Sequence, residues 1–117
     1  MAISEEIGPH EGIEFQLMKH GKKHVALFVD FRPPDLGNFL SDEFKLLQFN
    51  QTTRDGTDYV TRIVYRLGYE KQAFRLRVLL EEDSYGVCSE REHEMGRLLS
   101  YTPEQVDAYI AHITSAN

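Results

Sequence analysis

Four arginines, Arg62, Arg66, Arg75 and Arg77, crowd into the stretch Asp58–Glu82 of an otherwise acidic chain. The arginine fork is planar, permanently charged and matched to carboxylate or phosphate oxygens. Four of them on one surface would hold a small anion or an acidic partner. The stretch that must position them alternates in steps of two on both sides of Gly68-Tyr69-Glu70-Lys71. Ile63, Tyr65 and Leu67 point one way, and Arg62, Val64 and Arg66 point the other. After the break Phe74, Leu76, Val78 and Leu80 share a face opposite Arg75, Arg77 and Leu79. That pattern predicts an antiparallel hairpin with one buried face. Keeping the apolar residues together requires opposed residue numbers that sum to 137, 139 or 141. These registers set Arg62 against Arg75, Arg62 against Arg77, or Arg66 against Arg75. Opposed like charges cost stability unless something compensates. Helix glutamates, solvent, or a bound anion or acidic partner are the three candidates, and a bulge would change the parity.

At 117 residues the chain is expected to form one α+β domain over residues 1–117, able to bury a core without metal or disulfide staples. Cys88 is the only cysteine, which excludes an intramolecular disulfide and a Cys-rich zinc site. The start, Met1 to Gly8, lacks the basic and apolar segments of a signal peptide, and the apolar run Val25–Val29 is far too short for a membrane span. The expectation is a cytoplasmic protein without membrane contact. The net charge of −6 disfavours nucleic acid. Residues 58–82 depart from it, with five Lys/Arg against four Asp/Glu.

Stepping along the chain, residues 10–20 mix strand-like alternation at Ile13, Phe15 and Leu17 with good helix formers. A helix closed by Gly21 is the better reading. His24–Phe31 reads as a strand buried on both faces inside the sheet. Phe44–Thr52 is a further strand, turned by Arg54-Asp55-Gly56-Thr57 into the hairpin described above. Beyond Gly86 the period becomes 3.6. Ser89-Glu90-Arg91-Glu92 reads as a capping box, with Met95, Leu98 and Leu99 as the apolar stripe. Gly96 weakens that helix or permits close packing. Thr102-Pro103-Glu104-Gln105 opens another, with Val106, Tyr109, Ile110 and Ile113 on one face. The predicted order is α-β-β-β-β-α-α: a four-stranded antiparallel meander, an N-terminal helix and two C-terminal helices, with helices covering one side of the sheet.

Other residue clusters were weighed against plainer roles. Residues Glu94 to Ile110 resemble, in spacing, the helix-turn-helix of bacterial response regulators, which implies a DNA-binding helix pair. The would-be recognition helix nevertheless carries Glu104 and Asp107 near its start and no Lys or Arg, so it would repel phosphates. His93 with Glu90, Glu94 and Arg97, and His10 with Glu11, are possible metal or acid–base groups, but an acidic first turn is what a helix dipole favours anyway. Cys88 precedes a helix, where a thiol pKa can fall, although a single cysteine packs as an ordinary small residue. Tyr65, Tyr69 and Tyr85 lie near the arginines as possible recognition groups. His20-Gly21-Lys22-Lys23-His24 complements a helix end or binds an anion. No catalytic constellation, metal site or cofactor motif emerges. The leading expectation is a non-enzymatic interaction or regulatory protein, a homodimer or partner binder working through its sheet. The alternative is an anion-binding domain or enzyme whose pocket is lined by Arg62, Arg66, Arg75 and Arg77.

Overall fold

A computed structural model describes residues 12–82 and 88–115. Its elements are α1 (Glu14–Lys19), β1 (Val25–Val29), α2 (Leu36–Phe39), β2 (Phe44–Thr52), β3 (Asp58–Arg66), α3 (Glu70–Glu82), α4 (Ser89–Leu98) and α5 (Pro103–Ser115). Three strands form one antiparallel sheet in the order β1-β3-β2. Val25 to Val29 pair with Tyr65 to Thr61, and Phe44 to Thr52 pair with Arg66 to Asp58.

The four-stranded meander is therefore overturned at its fourth strand, because Glu70–Glu82 is helical. Gly68, at φ +101°, ends β3 in a conformation that favours glycine, and its N–H donates to the Glu70 carboxylate. The chain that follows is rich in Glu, Lys, Gln, Ala, Leu and Arg, all good helix formers. Ala73, Leu76 and Leu79 recur at three-residue steps and are fully buried, whereas Phe74 and Val78 lie 54% and 44% exposed. The two-residue alternation of Phe74, Leu76 and Val78 thus runs across the helix and does not mark a sheet face. A second correction concerns β1, which is an edge strand and not an interior one.

The third correction is that helices cover both faces of the sheet. Odd-numbered Val25, Phe49 and Ile63 pack with Ala73, Leu76 and Leu79 of α3, Met95 of α4, and Leu99. Even-numbered Ala26, Phe28, Phe44 and Val64 pack with Met18 of α1 and with Leu36 and Phe39 of α2. Phe15 joins this second core, stacked on Phe39 at 4.1 Å and edge-on to Phe28 at 5.5 Å. Burial on both faces explains the near-continuous apolar sequence of β1.

The helix ends follow their local sequence. Helix α1 closes with Gly21 at φ +73°, where the N–H groups of Gly21 and Lys22 reach back to the carbonyls of Met18 and Leu17. Helix α5 has the expected capping box: Gln105 N–H donates to the Thr102 hydroxyl, and Thr102 N–H to the Gln105 side chain. At α4 the predicted box is displaced, since Cys88 and not Ser89 occupies the cap position and makes no side-chain cap bond. Gly96 lets α4 and α5 pack closely, because a Cβ there would lie 2.2 Å from Val106 Cγ2.

Candidate functional site

The four arginines do not converge. Arg62 and Arg66 belong to the even-numbered face of β3, on the side of α1 and α2. Arg62 lies opposite Phe28 and Gln48, and its Nε donates to Gln48 Oε1 at 3.1 Å. Arg66 pairs with Glu43, donates to the Met18 carbonyl, and lies 4.8 Å from the Phe44 ring centre. Arg75 and Arg77 lie on α3, across the sheet. Arg75 makes a two-pronged contact with Glu94 of α4, at 2.5 and 2.8 Å. That contact raises the guanidinium above its ordinary pKa and lowers the Glu94 carboxyl below its own. Arg77 pairs with Glu81 one helical turn on, at 3.1 Å, and lies 4.6 Å from the Phe49 ring centre. The opposed-arginine registers do not arise, because α3 is not a strand.

The other candidate residues are also separated from one another. A His93 ring nitrogen lies 2.8 Å from Asp107 Oδ1, linking α4 to α5. Among the described residues no group of three His, Cys, Asp or Glu side chains is placed to hold a metal ion. Tyr65 packs beside the first core, and Tyr69 stacks on His24 with ring centres 4.3 Å apart. Cys88 is exposed. His10, Glu11 and Tyr85 lie outside the described residues. No described helix is long and apolar enough to cross a membrane.

Lys23 is the residue that sequence reasoning placed at the wrong helix end. It is 1% exposed, and its Nζ donates to the carbonyl of Leu99 at 2.9 Å, 76 residues away. Leu99 caps the C-terminus of α4, where a cation complements the helix dipole. The Tyr101 ring centre lies 4.7 Å from the same nitrogen. Burial pulls the Lys23 pKa down to about 8, with Glu14 opposing the shift. Lys23 therefore ties the chain entering β1 to the far end of α4. A basic residue beside a helix-ending glycine gave no hint of so distant a partner.

The sheet edge formed by β1 is buried at Val25 and becomes exposed toward Val29. Arg66 N–H donates to the His24 carbonyl, and Asp30 N–H to that of Val60. Even-numbered residues thus turn their backbone toward β3, and Val25, Leu27 and Val29 turn theirs outward. Among the described residues nothing bonds to these outward groups. Val29 and Phe31 are 49% and 55% exposed beside this edge. A cleft of about 970 Å³ opens along it, walled by Phe15, Leu27, Phe28, Phe31, Pro34 and Phe39. The opposite edge differs. On β2 the outward backbone belongs to Phe44, Leu46, Gln48, Asn50 and Thr52, because Leu67 N–H donates to Glu43 and Thr53 N–H to Thr57. There Ser41 N–H occupies the Phe44 carbonyl at 3.0 Å, and Gln48, Asn50 and Thr52 present polar, exposed side chains.

No family model, curated protein or solved structure matches this chain.

Proposed function

We propose that this chain is an interaction protein that accepts an extended, apolar segment of a protein partner as a fourth strand on β1. The observation that carries the reading is the outward-facing backbone of Leu27 and Val29, at the exposed end of β1, beside a cleft lined by Phe15, Phe28, Phe31 and Phe39 together with Glu14, Lys19 and Asp35. An edge strand is a template for pairing, and proteins that do not use one blunt it with charge, proline, a bulge or a cover. None of the five residues of β1 is charged or a proline. Strand addition supplies affinity through main-chain hydrogen bonds, and a neighbouring cleft supplies selectivity for alternate side chains. Phe15, Phe28 and Phe39 lie on the even-numbered side of the sheet, so every second residue of an added strand would face them. An anion held by Arg62, Arg66, Arg75 and Arg77 has less support, because the four are split between opposite sides of the sheet.

A blocked synthetic peptide copying residues 24–30, with added terminal lysines for solubility, tests the reading by NMR titration. Strand addition shifts and protects the amides of Leu27 and Val29 and leaves Leu46, Gln48 and Asn50 unchanged. Shifts at β2, or at neither edge, contradict it.

A further inference from the structure

The outward face of α3 is complementary to itself when the helix is reversed, and we infer that it pairs antiparallel with α3 of a second copy of this chain, about a two-fold axis level with Leu76. The face is a stripe of Lys71, Phe74, Val78 and Glu81, all four exposed. Steps of three, four and three residues keep them on one side of the helix. That side lies directly across from the buried Leu76. The flanks of α3 are already in use: Arg75 reaches Glu94 of α4, and Arg77 lies over the Phe49 ring of β2.

Charge selects the occupant. Lys71 stands in the first turn of α3 and Glu81 in the last, so each opposes the dipole of its own helix. An antiparallel neighbour reverses the balance: its dipole runs the other way, and Lys71 meets Glu81 of the second copy at both ends of the contact. Glu81 also accepts from Arg77 Nε in its own chain at 3.1 Å, a bond that can persist because a carboxylate accepts several hydrogen bonds. Between the ends, Phe74 opposes Val78 of the second copy and Val78 opposes Phe74. Other alignments fail. Centring on Phe74 sets Val78 against Glu70, and centring on Val78 sets Phe74 against Glu82. A parallel pair sets Lys71 against Lys71 and Glu81 against Glu81. Helix α3 packs on the odd-numbered side of the sheet, whereas Phe15, Phe28 and Phe39 of the cleft lie on the even-numbered side. The pairing is therefore independent of strand addition on β1. One helix face is small beside a standard interface of about 1,600 Å², so the dimer is weak, with Kd on the order of 100 µM.

Sedimentation velocity of the full chain, from about 10 µM to about 1 mM, gives a concentration-dependent dimer. Phe74→Glu, at an exposed position, abolishes it and keeps the far-UV spectrum. Lys71→Glu and Glu81→Lys each weaken it about tenfold. The double variant, and an equimolar mixture of the two single variants, recover wild-type association within about threefold. Each single reversal places a charge that the α3 dipole favours, and the urea midpoint checks that the fold is kept. A wild-type chain that stays monomeric at about 1 mM, or a dimer indifferent to Phe74→Glu, overturns the inference. So does a dimer that the single reversals leave intact, or one that neither the double variant nor the mixture restores, because the antiparallel register then fails.

Discussion

The two edges of this sheet face the same hazard and meet it differently. Along β2 the first outward carbonyl is taken by Ser41, and the far half carries Gln48, Asn50 and Thr52. Polar ties also run along this side: Gln48 accepts from Arg62, Thr52 donates to Asp58, and Gln51 donates to the Leu80 carbonyl of α3. Along β1 the residues are Val, Ala, Leu, Phe and Val, and no outward backbone group has a partner among the described residues. Both strands are central enough to the cores to need apolar side chains, so burial alone does not explain the difference. An apolar edge left open invites pairing, and a polar edge discourages it. The proposed strand addition on β1 rests on this asymmetry.

The largest effect that sharpens this contrast comes from the anchor behind β1. The folded-state pKa of Lys23 is about 8, against an ordinary 10.5. Between those values the unfolded chain holds the proton and the folded chain does not, so ∂ΔG/∂pH is positive and stability rises with pH across that window. The rise attributable to Lys23 approaches about 3 kcal/mol. Urea unfolding of Lys23→Met is expected to lack this component, seen as the difference between wild-type and variant curves from pH 7.5 to 10.5. Binding of the residue 24–30 peptide should survive the substitution if the anchor only secures β1 and takes no part in pairing.

Next in size is Gly96→Ala. Alanine is the better helix former by about 1 kcal/mol, but its Cβ would lie 2.2 Å from Val106 Cγ2. Overpacking of this kind costs about 1–3 kcal/mol, so the urea midpoint should fall. Since the atoms nearest Gly96 belong to Val106 and Tyr101 and not to Leu27 or Val29, peptide binding below that midpoint should stay as in the wild type, separating loss of stability from loss of pairing. A smaller and more pointed comparison sets Val29→Lys against Gln48→Lys. The first is expected to weaken peptide binding tenfold or more, about 1.4 kcal/mol, and the second less than twofold, both read by NMR titration. Equal effects would erase the distinction between the edges. Smallest of all is Arg75→Ala, which removes an exposed ion pair with Glu94. Such pairs are screened by salt, so its urea midpoint in high salt should match the wild type, with peptide binding unchanged.

Much of this fold is visible in local sequence, and the failures have a common cause. The Arg54–Thr57 turn, the ends of α1 and α5, and the close packing at Gly96 depend on residues near one another in the chain. For Ala73 to Leu80 two periods compete. Phe74, Leu76 and Val78 satisfy alternation, while Ala73, Leu76 and Leu79 satisfy a helix. Helix-forming composition settles it, and Phe74 and Val78 are exposed as the cost of that choice. The arginine face was an artefact of the first period and dissolves with it. The open edge was hidden for a different reason. An apolar run reads the same in an interior strand and in an edge strand covered by helices on both faces. Only the pairing order β1-β3-β2 distinguishes them. Lys23 was hidden for the same reason, since its partner Leu99 is brought near only by the tertiary fold.

Amide hydrogen exchange on the two edges, followed in one set of spectra with and without the residue 24–30 peptide, tests the central claim most directly. The peptide should slow exchange at Leu27 and Val29 and leave Leu46, Gln48 and Asn50 as they were. Slowing confined to β2, or equal exchange with and without peptide for all five amides, would contradict it.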